Sequence, residues 1–199
     1  MPEVREATVD DIPRALDTFT AAFADYPWTR HTVAAYDHAG RIRRFQELFL
    51  VRIGLEHGRV WVGDGGDAAA IWTTPSFDAV AVFGELGPEL AEIAGDRAEA
   101  AAAAERAMAP HRPKRPAWFL GSVGVHPDRQ GRGLGAAVIR PGLEAAAEAG
   151  VPAFLETSTY DNVGFYRHLG FEVAAEVTIP DGGPTTWAMT KEHDSSAES

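Results

Sequence analysis

Apolar residues recur along this chain at two periods, and the switches between them mark out helices and strands in alternation. Val4 to Ala7 alternates weakly and predicts a short strand. Thr8 stands three positions before Asp11, a capping-box spacing, and Ile12, Leu16, Phe19 and Phe23 repeat at helical intervals. A first helix is therefore expected over about residues 10–24, broken by Asp25-Tyr26-Pro27-Trp28. Ile42, Phe45, Phe49 and Ile53 mark a second helix, closed near Gly58. Arg59 to Gly63 and Ala68 to Thr74 read as strands joined by Asp64-Gly65-Gly66-Asp67, a strong hairpin signal.

Phe77 to Met108, rich in alanine and glutamate, predicts two or more helices punctuated by Gly84, Gly87-Pro88 and Gly95. Three prolines keep Pro110 to Pro116 irregular. Ala117 to Val125 is a dense apolar strand ended by His126-Pro127-Asp128. The glycine-rich run Gln130 to Gly135 leads into a helix from Ala136 to Ala149, which Pro141 should kink and Gly150 and Pro152 should stop. Ala153 to Ser158 is a strand, and a short helix, with Asn162 as its cap, runs to Leu169 and ends at Gly170. Phe171 to Ile179 and Thr185 to Thr190 finish as strands around Pro180-Asp181-Gly182-Gly183. No repeat or internal linker interrupts the pattern. It predicts one α/β domain with a mixed sheet over residues 1–192, and a polar tail, 193–199, expected to be disordered.

A chain of 199 residues can bury one core but not two ordinary ones. No apolar stretch approaches the ~20 residues of a membrane span, and the first residues lack the basic start and apolar run of a signal peptide. There is no cysteine, so disulfides, thiolate metal sites and an acyl-cysteine mechanism are excluded. A cytoplasmic protein without a metal or a membrane partner is expected. The net charge of -11 argues against nucleic acid as a partner. Positive charge is instead local, with Arg129, Arg132 and Arg140 close together. Nothing in the chain sets its oligomeric state.

Those arginines flank a strand, glycine loop and helix start, the arrangement in which backbone N–H groups and a helix dipole converge on an anion. A Walker-type phosphate loop is excluded because no lysine with serine or threonine follows the glycines. A dinucleotide loop is allowed by Gly131, Gly133 and Ala136, with Glu156 on the next strand, but too little chain remains for a doubly wound sheet. A tight turn without a ligand is the third reading.

The neighbouring motifs decide among these. Val123-Gly124-Val125-His126-Pro127, the Gln-x-x-Gly-x-Gly spacing from Gln130, and Asn162-x-x-Phe165-Tyr166-x-x-x-Gly170-Phe171 together resemble the GNAT family of N-acetyltransferases. The resemblance implies an α+β domain: a mixed, mostly antiparallel sheet flanked by helices, with a splayed strand pair that admits acetyl-CoA as cosubstrate. By the same resemblance Gln130, Gly131, Arg132, Gly133, Leu134, Gly135 and Ala136 hold the pyrophosphate, with Arg129 adding charge. Val123, Gly124 and Val125 meet the pantetheine arm and acetyl carbonyl, and Asn162, Phe165 and Tyr166 approach the same arm.

Acetyl transfer to a primary amine of a small molecule needs a base, a held oxyanion and a proton for the departing sulfur. The Val125 N–H is the candidate oxyanion donor. The resemblance makes Tyr166 the general acid. Glu156, in an apolar strand, reads either as a base working through water or as the partner of an arginine. Glu47 on the second helix and His31 are rival bases. Tyr26, Trp28 and His31, on the loop between the first two helices, are expected to line the acceptor pocket with Glu47 and Glu156. Acetylation of a peptide amine, and CoA binding without turnover, are the competing functions.

Overall fold

The computed structural model describes residues 2–193, so the expected polar tail lies, apart from His193, outside the described residues. Seven strands make one sheet in the order β1-β2-β3-β4-β5-β7-β6. They are β1 (Val4–Glu6), β2 (Gly58–Gly63), β3 (Ala68–Thr73), β4 (Trp118–Val125), β5 (Ala153–Thr157), β6 (Glu172–Thr178) and β7 (Thr185–Lys191). All neighbours are antiparallel except β4 and β5, as a mixed, mostly antiparallel sheet requires.

β3 is buried at every position because helices cover both its faces. Ala69 and Ile71 pack under Ala15, Leu16 and Phe19 of α1 (Ile12–Phe23). Ala68, Ala70 and Trp72 face Val138 and Ile139 of α6 (Leu134–Glu148). The Trp72 indole lies against the helix backbone at Gly142, where a Cβ would sit 2.3 Å from Cε2. Small residues on both partners thus bring helix and sheet close, which keeps the start of α6 at the end of β4.

Several elements differ from the expectation. The chain between the first two helices is not a loop: Pro27 opens a short helix, α2 (Pro27–Thr32), at the first helical position, where its missing N–H costs nothing. α3 (His38–Glu47) widens into a π-helical stretch, Leu48–Leu55, before β2. α4 (Ala79–Ala94) runs on through Gly84, Gly87 and Pro88, because Leu86 and Ile93 pack with Leu48 and Ile53 and tertiary burial outweighs local propensity. The break falls at Gly95, with φ +61°, before α5 (Ala98–Met108). α6 holds Pro141 inside it, as expected, and begins two residues earlier than expected, at Leu134. α7 (Tyr160–His168) starts earlier than expected, since Thr159 and not Asn162 is its cap: Thr159 Oγ1 accepts the Asn162 N–H at 3.4 Å.

The expected splayed pair is present and has a local cause. β4 pairs with β5 only at Trp118–Ala153, Phe119–Phe154 and Leu120–Leu155. Against β3, Ser122 faces Ile71 and Leu120 faces Trp72, which leaves Gly121 unmatched. An extra residue bends the strand that carries it. Beyond Gly121, β4 stays with β3 and leaves β5.

Candidate active site

The gap between β4 and β5 opens into a cavity of about 990 Å³. β4 from Phe119 to Val125 forms one wall, with Glu156 and Ser158 opposite and Gln130, Gly131, Gly133, Leu134, Gly135 and Ala136 at one end. The backbone of β4 presents donors to this space. His126 N–H donates to the Asp67 carbonyl at 2.8 Å, and ladder bonds alternate along an antiparallel pair. The N–H groups of Val125 and Val123 therefore turn away from β3, toward the side that β5 has left. The Val125 carbonyl, on that same side, accepts from Gln130 Nε2 at 3.3 Å.

The glycine loop is shaped to receive an anion. Gly131 and Gly133 have φ of +74° and +77°, and a Cβ on either would meet nothing within 4 Å. Gly133 precedes the first turn of α6, whose N–H groups no side chain caps among the described residues. Open donors, a helix N-terminus and space around the backbone fit a pyrophosphate. Arg129 does not add the expected charge. Its guanidinium lies 3.4 Å from Asp64 and 2.9 Å from Asp67, so it ties the loop to the β2–β3 turn and does not line the cavity. Arg132 is exposed on the loop and also lies outside the cavity wall.

Tyr166 lies in α7, buried against Phe165 and Phe171, and lines the cavity. Burial, with a smaller contribution from Tyr26, pushes its phenol well above the ordinary value of 10. Among the described residues no group hydrogen-bonds its hydroxyl, which is left to the cavity. Phe165 and Asn162 line the same space, Asn162 donating from Nδ2 to Thr157 Oγ1 at 3.2 Å.

Glu156 reaches the cavity as the partner of an arginine. Arg112 donates from Nε and Nη2 to its two oxygens at 2.7 and 3.0 Å, and from Nη1 to Glu105 at 2.8 Å. All three side chains line the cavity. Arg112 comes from the proline-rich loop after α5, a segment whose sequence marks it only as irregular.

The remaining candidates divide. Tyr26 and Trp28 line the cavity. Tyr26 does more than present a ring: its hydroxyl accepts the Ser158 N–H at 2.7 Å and lies 3.1 Å from Thr157 Oγ1, pinning the end of β5. Trp28 packs on the cluster of Met108, Phe154 and Ile179. His31 is outside the cavity. Its ring is buried, Nδ1 faces Arg97 Nη2 at 3.1 Å, and Arg97 Nε donates to the His31 carbonyl at 2.7 Å. Glu47 is also outside: it is exposed on the far face of α3, in a shallow groove with Arg44 and Glu89. Its neighbour Gln46 faces inward and is buried on the cavity wall, a position sequence reading passes over. Ser158 and Thr186, whose buried hydroxyls meet at 2.8 Å, are likewise found only in the fold.

This arrangement matches a known class. The acetyltransferase (GNAT) family model matches residues 70–171, which run from β3 to the start of β6 and include the bulge, the loop and Tyr166. The chain belongs to the GNAT family and is an acetyl-CoA-dependent N-acetyltransferase. Solved structures share the fold. A histone acetyltransferase HPA2 and related acetyltransferase from Corynebacterium glutamicum ATCC 13032 is 24% identical with a TM-score of 0.74, covering 96% of both chains. The polyamine N-acetyltransferase of Drosophila melanogaster, which forms N-acetylagmatine, is 16% identical with a TM-score of 0.65, over 96% of this chain and 100% of that one. A mosquito arylalkylamine N-acetyltransferase like 5b is 16% identical with a TM-score of 0.64, over 96% and 99%. A doubly wound dinucleotide fold is excluded by a sheet with a single parallel pair.

Proposed function

We propose that the acceptor is the primary amine of puromycin or a related aminoacyl nucleoside, acetylated in the cytoplasm by direct attack within a ternary complex. The observation that carries this reading is the gap itself, with an anion-binding loop at one end, an aromatic and apolar chamber at the other, and the free hydroxyl of Tyr166 on its wall. Resemblance to puromycin N-acetyltransferase supports the acceptor: it runs through Ala22-Phe23-Ala24-Asp25-Tyr26-Pro27, Arg30-His31-Thr32, Gln46-Glu47-Leu48-Phe49-Leu50, Pro116-Ala117-Trp118-Phe119-Leu120 and Gly150 to Ser158. Two departures from that enzyme matter, Trp28 in place of a small residue and the pair Tyr160-Asp161. Neighbours of the same fold named for polyamine and arylalkylamine acetylation support a small amine. So does the small, apolar lining given by Leu90, Ala91 and Ala94 of α4 and Ala98, Ala101 and Ala102 of α5, which suits an apolar or aromatic body.

Acetyl-CoA supplies the acetyl group activated as a thioester, and the loop from Gln130 to Ala136 holds its pyrophosphate. The Val125 N–H, turned into the gap, donates to the acyl oxygen as it gains negative charge. Tyr166 gives its proton to the departing sulfur. The phenol is protonated at neutral pH even at its ordinary pKa of about 10; burial makes it a weaker acid, so the transfer requires the departing thiolate, of ordinary pKa about 8.5, to lose its water in the same gap. Glu156 receives the amine proton through water: each oxygen bonded to Arg112 keeps a further lone pair for a water molecule. Arg112 fixes the carboxylate in place, as a positioning residue.

Thiol release from acetyl-CoA, measured with puromycin beside tyramine, tryptamine and phenethylamine, tests the acceptor. Release with puromycin at the highest kcat/KM is expected. Release with the simple amines and none with puromycin overturns the named acceptor and leaves the fold and its reaction standing.

A further inference from the structure

Gln46 breaks the rule that a buried amide finds partners inside the protein. The residue is 1% exposed, and its Oε1 has no hydrogen-bond partner among the described residues. It stands on the acceptor side of the cavity, at the end of α3 just before the π-helical stretch, among Phe45, Phe49, Phe83, Leu90 and Ile93. A buried, unpaired carboxamide destabilises the protein that carries it, and an apolar side chain of the same volume would not. Insertions that widen a helix by one residue also recur at functional sites, because they re-aim the side chains beside them. Oε1 is shut off from the cavity as well as unpaired, so the end of the amide left to face the chamber is its NH2 group, a hydrogen-bond donor.

We propose that Gln46 is a specificity-determining residue of the acceptor subsite: its carboxamide N–H donates to an oxygen on the acceptor, from a part of the wall where the other α3 and α4 side chains are apolar. The substrate class this defines is an amine whose apolar or aromatic body carries an amide, ether or hydroxyl group, in preference to a purely hydrocarbon amine. The proposal rests on the acetyl-transfer reading of this cavity and adds to it the group that distinguishes one amine from another. A site built to bond such a group discriminates strongly against analogues that lack it, since the protein partner is then left unpaired.

The test replaces Gln46 with an apolar residue of similar volume, Gln46→Met, and compares melting temperature and steady-state kinetics with the unaltered enzyme. The acceptor is whichever of puromycin, tyramine, tryptamine and phenethylamine the unaltered enzyme acetylates best. Expected are a melting temperature equal or higher, an unchanged KM for acetyl-CoA, and an acceptor kcat/KM lower by about tenfold or more. Acceptor kinetics equal to those of the unaltered enzyme overturn the proposal. So does a lower melting temperature, which makes Gln46 a structural residue. If the unaltered enzyme acetylates none of these amines, it is the named acceptor that fails. A melting temperature of Gln46→Met below that of the unaltered enzyme then still overturns the role of Gln46.

Discussion

His31 shows how far a single residue's type can mislead. Its intrinsic pKa suits a base, and its place after Arg30 suggests a solvent-exposed loop. In the fold the ring is buried beside Arg97. Burial and that positive charge hold its pKa below the ordinary 6.5, outweighing the opposing effects of Asp181 and the Pro180 carbonyl. In the window just below pH 6.5 the unfolded chain binds more protons than the folded one. The contribution of this histidine to stability is therefore present above pH 6.5 and is lost as the pH falls through the window. Thermal melts between pH 7.5 and pH 5 should show a shallower loss of stability in His31→Gln than in the unaltered protein; equal slopes contradict this account of the site. Tyr166, Val125 and the loop glycines were legible because their spacing is part of a motif. Gln46 and Arg112 were not, since a glutamine on a helix and an arginine in a proline-rich loop reach the cavity wall only through contacts distant in sequence.

At the scale of elements, the sequence pattern located all seven strands, because apolar alternation and flanking turns are local properties. Its errors fell where a local signal has a second meaning, as proline does at the first position of a helix, or where packing overrides it. Pro27 reads as a breaker yet opens α2, and Gly84, Gly87 and Pro88 sit inside α4. The glycine loop is the element in which local rule and function agree. Gly133 holds a φ of +77°, which a β-branched residue resists, and a side chain there would enter the space left open around the loop. Gly133→Val should weaken CoA binding by about tenfold or more in calorimetry while the fold is retained, because each lost loop contact to phosphate is a charge-assisted one. Full retention of affinity would remove the pyrophosphate assignment.

For the whole molecule, the decisive feature is the parting of β4 from β5, and only its consequence could be read from the motifs. The only mark of the bulge in the sequence is a glycine inside a strand, Gly121 before Ser122, and its place emerges only once β3 and β4 are paired. It gives the sheet its gap, and the helices packed around that gap give the cavity its loop end and its acceptor chamber. The central claim is that acetyl transfer takes place in this gap with Tyr166 as the acid. Turnover of Tyr166→Phe, measured beside its affinity for CoA, tests that claim most directly. The account predicts kcat lower by roughly 10²–10⁴-fold with CoA binding unchanged. Unchanged turnover would contradict it.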